Sequence, residues 1–318
     1  MQKVAIGIDI GGTSVKIGTV FENGEVKFRD SFSTKEFKKI EDFVDHLSEK
    51  IDQSLAQIDS GYQLTGVGIG APNGNYYSGT IEHAPNLIWE GIIPLADMLK
   101  KKINTPVYLT NDANAAAIGE MTYGGAKNMK NFLMITLGTG LGSGFVANGK
   151  LILGHDGFAG ELGHTIVNPE GRLCGCGRKG CLETYASASG IKRTILKYLS
   201  VRKEDSILRT VPSNKLSSKI IYDAAKDGDI VAKEAFEYTG KILGMKLADA
   251  IAITSPEAIF LFGGLANAGD LIFEPTKRYM EEYLLNTYKN KVQLLPSSLP
   301  KGDAAILGAS ALVWDQNV

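Results

Sequence analysis

One pattern occurs twice in this chain, and it limits the folds open to it. Residues 3–10 form a continuous apolar run with Asp9 near its end, followed by Gly11-Gly12-Thr13. A second run, 14–21, ends at Glu22-Asn23-Gly24, and a third begins at Glu25. Asn-Gly favours the type I′ turn that joins antiparallel strands. About 125 residues later the same order returns. Residues 132–137 are apolar, Gly138-Thr139-Gly140-Leu141-Gly142 is the turn, 145–147 are apolar, Asn148-Gly149 closes the hairpin, and 150–153 follow. Runs that are continuously apolar, rather than alternating, belong to strands covered on both faces. The pattern predicts an internal duplication: two similar α/β lobes. A chain of 318 residues with 44% hydrophobic content has core enough for two.

The remaining elements fit that plan. Residues 36–58 carry apolar side chains at helical spacing, with Ser33 or Thr34 as cap. Residues 64–69 read as a buried strand, Pro94 opens a helix over 95–102, and 107–110 is a strand leading through Asn111-Asp112 into a small-residue helix over 113–121. Helices are predicted over 182–199, 217–226 and 229–253, with a polar loop at 200–214. A strand at 257–262 ends in Gly263-Gly264, a helix starts after Gly269, 292–295 is a short strand, and 303–313 is a helix of small residues.

All three cysteines and one of four histidines fall in a single glycine-rich stretch, 154–183. His164, Cys174, Cys176 and Cys181 offer one imidazole and three thiols, the number and softness that tetrahedral Zn2+ prefers. Cysteines used only as small apolar residues would not gather in a polar loop. Thiolate ligands point to a reducing compartment, and neither a leader segment nor a membrane-length apolar run is apparent, so a cytoplasmic location is expected. The net charge of −1 carries no basic field for nucleic acid or an anionic membrane.

The glycine turns suggest phosphate chemistry. In Asp9-x-Gly11-Gly12-Thr13 the backbone N–H groups can approach phosphate oxygens, Thr13 adds a hydroxyl, and Asp9 can hold Mg2+ through water. With Gly138-Thr139-Gly140 from the second lobe, two loops would face one cleft and hold a nucleotide. Gly263-Gly264 would receive its adenosine. Neither a P-loop nor a Gly-x-Gly-x-x-Gly turn after a strand occurs. Asp112 sits where a buried strand meets a helix. It would either cap the helix or act as general base, taking a hydroxyl proton as that oxygen attacks phosphorus. Asn86, Asn111, Glu161 and Glu183 would supply hydrogen bonds to a polyol.

These motifs resemble the ROK sugar kinases, within the actin-like, hexokinase-type ATPase superfamily. The resemblance spans nearly the whole chain. It rests on Asp9-Ile10-Gly11-Gly12-Thr13, Ala84-Pro85-Asn86-Leu87, Asn111-Asp112-Ala113-Asn114, 137–142, Gly160-Glu161-Leu162-Gly163-His164 and Cys174-Gly-Cys176-x4-Cys181-Leu182-Glu183. It implies Asp112 as catalytic base. It implies Asn86, Asn111, Glu161, His164 and Glu183 as sugar ligands, and His164, Cys174, Cys176 and Cys181 as structural zinc ligands, so that His164 touches both. The expected lobes are 1–112 with 303–318, and 113–302 carrying the zinc loop. ATP and Mg2+ are the implied cofactors, and a homodimer or homotetramer the implied assembly. The stretch 86–95, Asn86-Leu87-Ile88-Trp89 through Pro94-Leu95, looks like the corresponding stretch of ROK glucokinases, which favours D-glucose, phosphorylated at the 6-hydroxyl. N-acetylmannosamine, N-acetylglucosamine and fructose are the alternative substrates. A ROK-type transcriptional repressor is the reading from another class; those proteins carry a helix-turn-helix ahead of the Asp-x-Gly-Gly-Thr strand, where this chain starts. An actin-like filament or chaperone ATPase leaves the zinc loop unexplained.

Overall fold

The computed structural model describes residues 2–58 and 61–314. In chain order the elements are β1 (Gln2–Ile10), β2 (Ser14–Phe21), β3 (Val26–Ser33), α1 (Ile40–Leu55), β4 (Tyr62–Ala71), β5 (Gly74–Asn75), β6 (Thr80–Glu82), β7 (Ile92–Ile93), α2 (Leu95–Ile103), β8 (Val107–Asn111) and α3 (Asp112–Tyr123). There follow β9 (Phe132–Leu137), β10 (Leu141–Ala147), β11 (Lys150–Leu151), α4 (Ala188–Val201), α5 (Ser218–Lys226), α6 (Ile230–Thr254), β12 (Ala258–Phe262), α7 (Asp270–Tyr283), β13 (Gln293–Pro296) and α8 (Ala304–Trp314).

The repeated hairpin pattern becomes a repeated sheet. One sheet has the order β3-β2-β1-β4-β8, the other β11-β10-β9-β12-β13. In the first, β1 and β3 flank β2 antiparallel, while β4 pairs with β1 and β8 parallel. In the second, β10 and β11 are antiparallel, and β12 pairs with β9 and β13 parallel. A small third sheet, β5-β6-β7, was not legible in the sequence because its strands have only two or three residues.

The chain divides into two compact units. The first comprises Met1–Lys130, Gly144–Gly160 and Ser297–Val318; the second comprises Asn131–Ser143 and Glu161–Pro296. The division differs from the expected lobes, 1–112 with 303–318 and 113–302. Helix α3 belongs with the first unit because it packs on α8 through small residues: Gly119 meets Gly308, and Gly308 meets Ala115. Residues 315–318 of the expected terminal segment lie outside the described residues.

Within the first unit, strand periodicity explains why β1 is apolar and buried over residues 4–8, because both of its faces are covered. Ile6, Ile8 and Ile10 join Phe43, Val44, Leu47 and Ile51 of α1 in one buried cluster, while Gly7 faces α8. Each fully buried side chain of this size contributes about 1.5–3 kcal/mol. Trp89 belongs to the same core. Its ring centroid is 4.5 Å from that of Phe43, and its Nε1–H donates to the Phe37 carbonyl at 3.0 Å. Trp89 therefore anchors the stretch carrying Asn86.

Two predicted helices change at their ends. Ser33 caps a short 3-10 turn, 34–36, by accepting from Lys35 N–H, and α1 starts only at Ile40. The helix predicted over 182–199 is interrupted: a 3-10 turn covers Leu182–Thr184, and Ser187 caps a fresh helix from Ala188 by accepting from Gly190 N–H at 3.0 Å. The polar loop at 200–214 contains a 3-10 turn, Ile207–Thr210, pinned by buried Leu208. In the second unit α6 packs along α7, and its buried small and aliphatic residues account for its broad apolarity. No helix among the described residues is long and apolar enough to cross a membrane.

Candidate active site and metal centre

In the first unit, β1 delivers Asp9 near its end, β8 ends on Asn111, and α3 begins at Asp112. The turn 11–13 is closed by Gly11 N–H donating to Ser14 O at 2.9 Å. Thr34 Oγ1 donates to Gly11 O at 2.7 Å and Thr34 N–H to Thr13 O at 3.2 Å, so the turn is supported from the β3 side. Gly12 is needed for a close approach: a Cβ there would lie 2.5 Å from the Asn86 carbonyl oxygen. Exposed Asn86 therefore lies against the glycine turn.

The alternatives for Asp112 separate by geometry. Asn111 is the N-cap of α3, its Oδ1 accepting from Ala113 N–H at 2.9 Å. Asp112 is the first helical residue, and its Oδ1 shares the same N–H at 2.8 Å. With Asn111 as cap, one Asp112 oxygen remains for chemistry. The carboxylate reaches solvent, yet protein crowds it. That desolvation raises its pKa above the ordinary aspartate value, against the opposing pull of backbone N–H donors. Asp9 shifts the same way: burial first, and the Asp112 carboxylate second, push it up to about 6, while Lys16 pulls it down. Lys16 is the cross-strand partner of Asp9 on β2.

In the second unit the three-residue turn Leu162–His164 follows Glu161. Ser143 Oγ accepts from Leu162 N–H at 3.1 Å, and Glu161 O accepts from His164 N–H at 3.1 Å. The ligand atoms of His164, Cys174, Cys176 and Cys181 all lie within 4.8 Å of one another. Tetrahedral zinc with bonds of about 2.3 Å spaces its thiolates about 3.8 Å apart. Cys176 and Cys181 Sγ are 3.7 Å apart, and Cys174 Sγ is 3.7 Å from His164 Nδ1. The set thus fits one such ion. Burial raises the Cys174 thiol, reinforced by its hydrogen bond to Glu183 Oε1 at 2.9 Å. Burial also acts on Cys176, but hydrogen bonds, first from Arg178, overcome it and hold that thiol at about 6.

Glu183 lies beside both the metal set and the second glycine turn. Its Oε1 is 4.0 Å from His164 Nδ1, and a Cβ on Gly140 would fall 2.6 Å from its Oε2. The turn itself hangs from the start of α4. Ala188 N–H donates to Gly138 O at 2.9 Å, and Ser189 Oγ donates to Thr139 O at 2.7 Å. At the end of β12, Gly263 has φ +103°, and a Cβ there would lie 2.7 Å from Leu137 O. A non-glycine residue would be strained and would collide. Leu265 N–H also donates to Leu137 O at 3.1 Å, so the Gly263-Gly264 turn sits on the end of β9 beside Gly138. Gly138 and Gly264 face open space.

Each unit therefore assembles its own predicted set: Asp9, 11–13, Asn86, Asn111 and Asp112 in the first; 138–140, the His164 and cysteine cluster, Glu183 and 263–264 in the second. Sequence reasoning missed the side chains that hold these in place, Ser143, Ser187 and Ser189, and gave Thr34 only as a candidate helix cap rather than as the support of the first glycine turn. Serines and threonines are common at turns, and only the fold reveals which carbonyl or N–H each one meets.

Comparison with known proteins identifies the family. The glucokinase of Halalkalibacterium halodurans is 35% identical over 315 residues, covering 98% of this chain and 95% of that one. The xylose repressor of Caldicellulosiruptor bescii is 32% identical over 97% of this chain and 77% of its own length. The crystal structure of a ROK family glucokinase from Streptomyces griseus, in complex with glucose and AMPPNP, superposes with a TM-score of 0.81 at 33% identity, covering 97% of this chain and 98% of that one. Residues 5–316 match the ROK family. With the family matched across almost all of its length and its hairpin repeat folded as two actin-like sheets, this chain belongs to the ROK family.

Proposed function

We propose that the chain is an ATP-dependent hexose kinase that phosphorylates D-glucose at its 6-hydroxyl, with Asp112 as general base. The observation that carries this reading is the Asn111–Asp112 junction. Asn111 takes the cap, which leaves a carboxylate of raised pKa with an oxygen to spare at the end of the edge strand β8, whose expected burial is confined to Leu109 and Thr110. Raising the pKa brings a base closer to neutrality, where proton abstraction is most effective. Likeness to glucokinases, one of them solved with glucose and an ATP analogue, supports glucose and ATP as the substrates.

Asp112 takes the proton of the sugar 6-hydroxyl as that oxygen attacks the γ-phosphorus. The O6–P bond forms, the bond from phosphorus to the β,γ-bridging oxygen breaks, and ADP leaves. Asn86, Asn111, Glu161, His164 and Glu183 bind the sugar hydroxyls. Asn111 does so with its amide N–H2, because its oxygen caps α3. Gly11, Gly12 and Thr13 face the phosphates, as do Gly138, Thr139 and Gly140; Gly263 and Gly264 take the adenosine. Asp9 is the residue for Mg2+: a half-buried carboxylate pushed up to about 6 gains from a cation close by. Bound Mg2+ would neutralise charge on the phosphates.

His164, Cys174, Cys176 and Cys181 would hold zinc in a closed, structural site. Zinc there would fix the loop and the imidazole without activating water. With His164 Nδ1 turned toward the cysteines, Nε2 is the nitrogen left for a sugar hydroxyl. Reduced thiols suit the cytoplasm, and the family resemblance implies a homodimer or homotetramer. A sugar-sensing regulator is the second reading, favoured by the 32% identity to a xylose repressor. A coupled ADP-release assay decides between them. The kinase reading requires glucose-dependent ADP formation and glucose 6-phosphate as product. Sugar binding without turnover would favour the regulator.

A further inference from the structure

Arg172 has no part in the roles above. It stands two residues before Cys174, and its guanidinium is directed at backbone and hydroxyl oxygens. Nη1 donates to the carbonyls of Thr184 at 2.6 Å and Gly190 at 3.0 Å, and Nη2 donates to Thr194 Oγ1 at 2.9 Å. Its Cζ lies 4.4 Å from the centroid of the Tyr185 ring, and the Tyr185 hydroxyl accepts from Arg172 N–H at 3.2 Å. None of these partners is a carboxylate. The group acts as a planar fork that spans separate acceptors at once, which a lysine ammonium cannot reproduce.

The segments joined by this fork lead to the two substrate-facing sets of the second unit. Thr184 follows Glu183, and the Glu183 carbonyl accepts from Ser187 Oγ at 2.7 Å. Ser187 caps α4, and the next two residues carry the Gly138-Thr139 carbonyls. Arg172 then grips α4 at Gly190 and Thr194. The metal loop, Glu183 and the 138–140 turn are thus linked through one side chain.

We propose that Arg172 is a positioning residue that locks the metal loop, the sugar ligand Glu183 and the nucleotide-facing turn 138–140 into one rigid assembly, so that sugar and ATP sites are set together. This rests on the roles proposed for Glu183 and 138–140. Displacements of about 1 Å remote from the reacting atoms can cost up to about 100-fold in rate. A fork linking both sets should therefore influence both substrates, whereas a residue serving only stability would alter the melting temperature and the active fraction but neither KM.

The test uses Arg172→Lys, Arg172→Ala and Glu183→Gln in the full chain. It measures zinc content, melting temperature, kcat, and KM for glucose and for ATP. Arg172→Lys should keep its zinc, since all four ligands remain, yet raise both KM values about tenfold or more. Methylguanidinium added to Arg172→Ala should restore both KM values at concentrations that leave the wild type unchanged. Wild-type KM values in Arg172→Lys, or a rise in only one of them, would overturn the proposal. Should Arg172→Ala fail to fold, Arg172→Lys carries the test alone. If Glu183→Gln leaves the glucose KM unchanged, the role assigned to Glu183 fails. If Glu183→Gln raises it and Arg172→Lys does not, only the positioning inference falls.

Discussion

Replacing Asp9 with asparagine should make the protein more stable and less active at pH 8. Burial, aided by the neighbouring Asp112, pushes the Asp9 carboxyl from 3.8 up to about 6. The folded state thus holds this proton more tightly than the unfolded chain, so it is the ionised form that costs stability. At about 1.4 kcal/mol per pKa unit, the gap sets an upper bound of about 3 kcal/mol. Partial exposure of the side chain reduces this, and we take about 2 kcal/mol. Below pH 3.8 both states are protonated and the cost vanishes; it grows as pH rises from 3.8 toward 6, and above that range it is complete. An asparagine of the same shape carries no such cost. Thermal unfolding of wild type and Asp9→Asn at pH 8 and pH 4.5 would measure it. The variant should melt about 4 °C higher at pH 8, taking roughly 2 °C per kcal/mol for a chain this long, with most of the gain lost at pH 4.5. No gain at pH 8, or an equal gain at both values, would refute the linkage. Kinase activity should fall, because Asp9 is the proposed Mg2+ residue, so the site would hold a carboxylate whose charge is unfavourable until a cation arrives.

Other variants separate chemistry from structure. Asp112→Asn should lower kcat about 100- to 10,000-fold while glucose still binds, because the amide oxygen can keep the Ala113 N–H bond but cannot take a proton; more than about a tenth of wild-type turnover would contradict this. Cys176→Ala should lose zinc and glucose affinity together, read by elemental analysis and calorimetry, and retained glucose affinity without zinc would count against the metal's role. The buried Glu120 carboxylate accepts from Gly125 N–H, Ser297 Oγ and Ser298 N–H at 2.7, 2.5 and 2.9 Å. Glu120→Ala should therefore cost about 3 kcal/mol or more in urea unfolding, through the donors it leaves unpaired.

Much of the fold was legible because a few long-range requirements were written into local runs. Residues 3–10 and 132–137 had to be apolar on both faces, and their glycine turns and Asn-Gly hairpins recurred in the same order, so two sheets of one topology followed. The metal set was legible because cysteines concentrated in a polar loop have few other uses. Lobe boundaries were not: the assignment of α3 depends on its packing against α8, a contact across some 190 residues of chain that local periodicity does not register. Nor was the break at 185–187. Apolar spacing runs through it, and only the Ser187 side chain, meeting the Gly190 N–H, shows that a new helix begins. Asp112 sits between these cases. Its position at a strand end was plain, but whether it or Asn111 capped the helix needed coordinates.

Phosphorylation of glucose by this chain is tested most directly at the sugar's 2-position. Glu161, His164 and Glu183 are the proposed partners for adjacent hydroxyls, and a site built to bond hydroxyls discriminates strongly against analogues that lack them. Added groups are excluded only by shape. The measurement is kcat/KM for glucose against N-acetylmannosamine and N-acetylglucosamine, under saturating ATP. Glucose should be preferred over both. A tenfold preference for either N-acetylated sugar would contradict glucose as the substrate, and no ADP release with any hexose would contradict the kinase itself.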